Sequence, residues 1–211
     1  MKSRKCAALV LAAGQGTRMK SSQPKVLHKI CGFPLICHIV SVLNKVKVDK
    51  KVIVVGFKHE KVKSSLKNNN VRFVLQKQQL GTAHAVLCAK GEFKSFSGDV
   101  LVMAGDVPLI DAATLRAFIS AHRKKKSKAT ILTTTVQDPK AYGRIVRNKK
   151  HEVIKIVEEL DASRVEKEIR EINSGLYIFD TKTLFKKIPS IKRNKKKKEF
   201  YLTDIVEALI N

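Results

Sequence analysis

The stretch LAAGQGTRMKSSQPK, Leu11 to Lys25, concentrates residue types that hold phosphate. Gly14 and Gly16 let a backbone approach a ligand closely and take positive φ. Backbone N–H groups in such a turn cradle oxyanions. Arg18 offers a planar fork that matches phosphate, and Lys25 a compact mobile charge. Pro24 restricts Gln23 and so helps to aim Lys25. A loop with so little to bury costs ordering entropy. Either a ligand repays that cost, or this is a tight glycine turn with two solvated cations. The P-loop pattern is missing, and so is the dinucleotide fingerprint, because Met19 stands where its third glycine is due. The complementary group is Asp106, in GDVPLI, just past the apolar run VLVMA. A carboxylate at a sheet edge can hold Mg2+, which takes oxygen ligands and often keeps waters and substrate phosphates. Asp106 also suits a plain turn before Pro108. Cations on one loop and a carboxylate on another strand end suit phosphoryl chemistry on a nucleotide.

Short apolar runs must position these groups. CAALVLAA (6–13), KVIVVGF (51–57), VRFVLQ (71–76), DVLVMAGDVPLI (99–110) and KATILTTTV (128–136) suit strands buried on both faces. Helical patterns alternate with them. In 34–48, Pro34 suits a helix start, and Ile36, Ile39, Val40, Leu43 and Val46 fall at helical spacing. Residues 58–68, 81–90 and 111–126 are further helices, the last with Asp111 placed to cap it. The economical fold is α/β, Rossmann-like, a mostly parallel sheet flanked by helices. In such sheets ligands bind beyond the carboxyl ends of the strands, where Leu11–Lys25 lies. After about residue 137 the alternation weakens. YGRIVR, EVIKIVEE and EINSGLYIFD read as strands of a small β lobe over the site, followed by helices at 181–187 and 200–210.

The 211 residues suggest a single domain, and 44% hydrophobic content supplies a full core. The net charge of +25 raises nucleic-acid binding. Against it, aromatic content is 6% with no Trp, so stacking platforms are not evident. The lysine clusters at 123–128 and 192–198 read as solvated surface, the first at a helix end where cations suit the dipole. Cys6, Cys31, Cys37 and Cys88 have no zinc spacing and read as small, mostly buried thiols of a reducing compartment. No segment approaches the roughly 20 apolar residues of a membrane span. The apolar run at the N-terminus is about eight residues, short for a signal peptide. A cytoplasmic protein without membrane partners is expected.

LAAGQGTRM…PKVL resembles the signature of sugar-phosphate nucleotidylyltransferases. QLGTAHAV, GDVPLI, YGRIVR, IVEELDA, EINSGLYIF and EFYLTDIV, in that order over nearly the whole chain, resemble one member of that group. It is the uridylyltransferase domain of the bifunctional bacterial enzyme that makes UDP-N-acetylglucosamine, a precursor of cell-wall peptidoglycan. The resemblance implies transfer of UMP from UTP to N-acetylglucosamine 1-phosphate, with Mg2+ as cofactor. It implies that Leu11, Ala13 and Gly14 line the nucleotide, that Arg18 and Lys25 hold the triphosphate, and that Asp106 binds the metal. By the same resemblance Gln76, Gly81 and Thr82 read uracil, and Gly143, Glu158 and Asn173 bind the sugar. Taken singly, Gly81 and Thr82 could simply start a helix, Glu158 could be solvated beside Glu159, and Asn173 could cap a turn.

The family domain usually continues further and supplies a late asparagine to the metal, for which no counterpart is found here. Its acetyltransferase half, a left-handed β-helix of hexapeptide repeats, has no counterpart either, so only uridylyl transfer is expected. Ala104 replaces an aromatic residue often found before GD, and Leu160 a lysine after the acidic pair. The competing readings are the same fold acting on another sugar phosphate or on CTP, and a catalytically degenerate basic binding protein.

Overall fold

The computed structural model describes residues 4–16 and 19–210. Cys6–Ala12 forms strand β1. Its small and apolar side chains alternate between two covered faces, with Ala7 and Leu9 in one core and Ala8 and Val10 in the other. A two-strand ribbon, β2 (Lys29–Ile30) with β3 (Phe33–Pro34), leads to α1 (Leu35–Val46). Then come β4 (Lys50–Val55), α2 (His59–Ser65), β5 (Arg72–Leu75), α3 (Thr82–Cys88), β6 (Asp99–Ala104) and α4 (Ala112–Lys124). The rest is β7 (Ala129–Thr135), β8 (Arg144–Arg147), β9 (Val153–Val157), α5 (Arg164–Lys167), β10 (Glu171–Asp180), α6 (Thr181–Lys187) and α7 (Ile205–Ile210).

The main sheet runs β5-β4-β1-β6-β10-β8-β9, and β7 also pairs with β10. The first four strands are mutually parallel. β10 is antiparallel to β6, β7 and β8, and β8 to β9. The alternation that ends near residue 137 is therefore the point where parallel crossovers give way to antiparallel pairing. Helices cover both faces. Ile36, Ile39 and Leu43 of α1 and Leu115 and Ile119 of α4 pack on one side. Ala85 and Val86 of α3, Leu184 of α6 and Ile205 of α7 pack on the other. From β1 the chain moves outward on one side to β4 and β5, and on the other side to β6. That reversal opens a crevice between the carboxyl ends of β1 and β6.

Asp111 caps α4 as its position suggested, accepting from the Thr114 N–H at 2.7 Å. The start of the lysine-rich stretch 123–128 is anchored. The buried Asp99 carboxylate meets Arg4 at 2.6 Å, Arg123 at 3.4 Å and His122 at 3.5 Å. Burial pushes the Asp99 carboxyl up, but His122 and Arg4 outweigh it and hold the group below its ordinary value.

Three local expectations change. Pro34 is not the first helical residue; it closes β3 in an extended conformation, and α1 starts at Leu35. The helix expected over 200–210 is shorter. Phe200 spends its backbone on other segments, donating to Leu80 O and accepting from Ala83 N–H. Only a 3-10 turn, Leu202–Asp204, and then α7 remain helical. Of the cysteines only Cys6 is buried, its thiol pushed up to about 12 by burial, while Cys31 is exposed and Cys37 and Cys88 are half-buried. Cys31 lies at the tip of the β2–β3 ribbon, where nothing covers it. Among the described residues, no helix is long and apolar enough to cross a membrane.

Candidate active site

The β1–β6 crevice brings Lys25 and Asp106 together. The Lys25 ammonium forms an ion pair with the Asp106 carboxylate, although the two residues come from different loops. The loop from residue 13 onward carries Lys25 there. Gly16, at φ +73°, is needed for packing rather than for ligand approach: a Cβ on it would come 2.7 Å from the Lys25 Cβ. Gly14 is the opposite case, exposed, with open space where a Cβ would stand. Pro24, Val26 and Leu27 are buried, so the loop has an apolar root that its composition hid. Lys58 Nζ donates to the Ser22 carbonyl at 2.6 Å and helps to hold its tip. The Leu11 and Ala13 carbonyls accept from the Gly105 and Phe57 N–H groups, so their acceptors serve the scaffold. Arg18 lies outside the described residues.

Gly16, which packs against Lys25, also lines a cavity of about 380 Å³ together with Gly14, Gln76, Gln79, Gly81, Thr82 and Glu199, among others. Gln76 is 3% exposed. Its Nε2 donates to the Gly81 carbonyl at 3.0 Å and lies 2.9 Å from His84 Nδ1. Gly81, at φ +102°, caps α3, and a Cβ there would meet the Phe200 carbonyl at 2.5 Å. The Thr82 hydroxyl accepts from the Leu202 N–H at 2.8 Å. Gly81 and Thr82 therefore do start a helix, and at the same time they dock the segment 199–202 and line the cavity.

Gly143, Glu158 and Asn173 converge with one another. A Cβ on Gly143 would stand 3.1 Å from the Ile156 side chain and 3.6 Å from both the Asn173 Cβ and a Glu158 carboxylate oxygen. The Gly143 carbonyl accepts from the Asn173 N–H at 2.9 Å. Glu158 points inward and accepts from the Thr203 hydroxyl at 3.0 Å. Burial raises its carboxyl, against the Thr203 bond. Glu159 is held instead by Arg144 at 2.6 Å, which lowers it. The two carboxylates of the acidic pair thus take different partners. Asn173 does cap a turn, accepting from Gly175 N–H at 3.1 Å, while its Nδ2 donates to the Tyr177 hydroxyl at 2.6 Å. A cavity of about 450 Å³ opens at Glu158, lined also by Glu199 and Tyr201. Glu199 lines both cavities.

Sequence reasoning assigned no role to His84, Glu199, Tyr201 or Thr203, although QLGTAHAV and EFYLTDIV contain them. They become visible only when 199–203 folds back across the start of α3. A larger cavity, about 810 Å³, lies at the far end of the sheet beside Arg4, Lys47, Asp49 and Arg116. It contains none of the expected site residues.

Comparison with known proteins agrees with this architecture. The model of the nucleotidyl transferase family matches residues 7–211, and the chain belongs to that family. Among curated proteins it is similar to the bifunctional protein GlmU of Listeria monocytogenes serotype 4a, 48% identical over 202 residues. Its match to the bifunctional protein GlmU of Streptococcus pyogenes serotype M12 is 48% identical over 199 residues. These alignments cover 96% and 94% of this chain but 44% and 48% of the relatives, so the chain spans less than half of their length. Among solved structures, a UDP-glucose pyrophosphorylase complexed with UDP-glucose superposes with a TM-score of 0.74 at 20% identity, over 98% of this chain and 88% of that one. A Bacillus anthracis protein assigned as a glucose-1-phosphate thymidylyltransferase gives 0.78 at 23%, over 97% and 82%. These two likenesses concern the fold.

Proposed function

We propose that this chain transfers UMP from UTP to N-acetylglucosamine 1-phosphate, releasing pyrophosphate, as one nucleotidylyltransferase domain over residues 1–211. The observation that carries the reading is a set of three neighbouring features: a Lys25–Asp106 ion pair whose lysine packs against Gly16, a cavity lined by Gly14, Gly16, Gln76, Gly81 and Thr82, and a second cavity at Glu158 that shares Glu199 with the first. The substrates are those the motif resemblance implies, and the similarity to GlmU proteins supports that reading. A phosphate oxygen of the sugar phosphate attacks the α-phosphorus of UTP. The new P–O bond forms as the bond to pyrophosphate breaks. Such a transfer requires positioning and charge neutralisation rather than a covalent nucleophile.

In this reading Gly14, Gln76, Gly81 and Thr82 bind the nucleoside, with Leu11 and Ala13 as the loop's root. Lys25, together with Arg18, holds the triphosphate. Gly143, Glu158 and Asn173 bind the sugar. Gln76 favours uracil over cytosine. Both amide hydrogens are committed, to Gly81 and toward His84, so Oε1 is the group left to read a base. Uracil N3 carries a hydrogen and cytosine N3 a lone pair. Asp106 would hold Mg2+, and the donor set fits. It is a partly exposed carboxylate, a hard oxygen donor, just past the end of β6. That suits a hard cation held mostly by substrate phosphates. When bound, it neutralises charge developing on the phosphates. Nucleic acid has no part in this function, and its setting is the cytoplasm.

The test is pyrophosphate release from UTP plus N-acetylglucosamine 1-phosphate with Mg2+. Lys25→Ala and Asp106→Ala should each lower turnover by about 100-fold or more. CTP and glucose 1-phosphate should be poor substitutes. Folded protein that turns over no pair would leave the degenerate binding protein as the better reading.

A further inference from the structure

The hydrogen bonds around Gln76 fix more than its own orientation. A carbonyl has no hydrogen to give, so the Gly81 oxygen, 3.0 Å from Gln76 Nε2, decides which way the amide points. The amide nitrogen faces Gly81, and Oε1 faces away. His84 Nδ1 lies 2.9 Å from that same nitrogen. An amide nitrogen only donates, so His84 Nδ1 must offer a lone pair. In a neutral ring the proton is then on Nε2. The Cys88 sulfur, one helical turn further on, lies 3.7 Å from Nε2 and 4.0 Å from Nδ1.

We infer that His84, in its Nε2–H form, is a positioning residue that locks the Gln76 amide and thereby sets the choice of nucleobase. This rests on the reading of the cavity at Gln76 as the base pocket. Gln76 directly follows β5 and is almost wholly buried, so an unpaired amide hydrogen there would be costly. Turning the amide over would set Oε1 against the Gly81 carbonyl, and against the His84 lone pair as well unless the ring also moved its proton from Nε2 to Nδ1. Both anchors come from the first turn of α3, Gly81 as its cap and His84 three residues on. They move as a unit, so Oε1 is presented by one rigid element. With one anchor removed, the inverted amide faces only half the opposition. The inverted amide would offer an N–H to cytosine N3.

Two measurements test this. Long-range 1H–15N correlation of the histidine rings, assigned by loss of one set in His84→Asn, should show His84 Nδ1 unprotonated and Nε2 protonated. The opposite tautomer would overturn the inference whether or not the protein turns over substrate. Calorimetric titration with UTP and with CTP, each with Mg2+, should show a preference for UTP that drops about 5–10-fold in His84→Ala, the worth of one buried hydrogen bond. His84→Asn, whose side-chain oxygen can replace the Nδ1 lone pair, should restore it. If His84→Ala weakens both nucleotides equally and leaves the ratio unchanged, His84 is merely structural. If the wild-type protein itself does not prefer UTP, the base-pocket reading fails first, a different result from a preference that survives His84→Ala.

Discussion

Asp204 is the carboxylate that the fold accommodates least well. Burial raises it to about 6, and Glu207, Glu158 and Asp161 add repulsion. Its ordinary value is 3.8, so between the two the folded chain holds a proton that the unfolded chain releases. Stability therefore falls as pH rises through that window and stays lowered above it. Asp204→Asn should raise the melting temperature at pH 7 by a few degrees, and the gain should vanish near pH 4, as scanning calorimetry at both pH values would show. Glu158 is shifted in the same direction by burial, but its proposed work is to accept from a sugar hydroxyl. Glu158→Ala should raise KM for N-acetylglucosamine 1-phosphate about 10- to 100-fold, the loss of a charge-assisted hydrogen bond, and leave KM for UTP nearly unchanged. Steady-state kinetics with each substrate varied in turn would separate the two effects. The residues that carry these predictions differ in how visible they were. Glu158 could be singled out because a motif resemblance pointed at it. The fate of Asp204 depends on its burial and on Glu158 and Asp161, which only the fold brings close; Glu207, three residues on, is the one neighbour the sequence shows.

At the level of elements, the phosphate-type loop and the start of α3 each turn on one glycine. Gly16→Ala would force a Cβ to 2.7 Å from the Lys25 Cβ in a left-handed backbone, so it should displace Lys25 and cost turnover more than stability. Gly14→Ala meets open space and should be the milder change in both. Parallel turnover and urea-unfolding measurements on the two variants would check the contrast. Gly81→Ala combines φ +102° with a clash against the Phe200 backbone. It should lower stability by about 2 kcal/mol or more and release the segment that carries Thr203 to Glu158. The parallel half was legible because buried strands write themselves as runs of Val, Ile and Leu. The terminal helix was overestimated for a physical reason. FYLTDIVEALI has helical periodicity, yet Leu80 and Ala83 claim the backbone of Phe200 and pull the first residues into an extended strap. Periodicity cannot report a hydrogen bond to a distant segment.

Across the whole molecule, the net charge of +25 complements the polyanionic substrates proposed for the site. Such a field should draw in UTP and be screened over a Debye length of about 10 Å at about 0.1 M salt. Raising salt from about 20 to about 200 mM should increase KM for UTP several-fold with little change in kcat, which initial-rate kinetics would reveal. The sheet has a further consequence for how this chain comes into being. β10 is the last strand in the sequence, yet it lies in the interior of the sheet, bonded to β6 and β7 and linking them to β8. A ribosome therefore delivers β10 after every other strand of this sheet. Until residue 180 has emerged, the emerging chain carries β6 with a bare apolar edge and a β8–β9 ribbon with nowhere to attach. Nascent chains stalled before that point should be the ones that holdase chaperones retain and that aggregate when released, because open strand edges seek any partner.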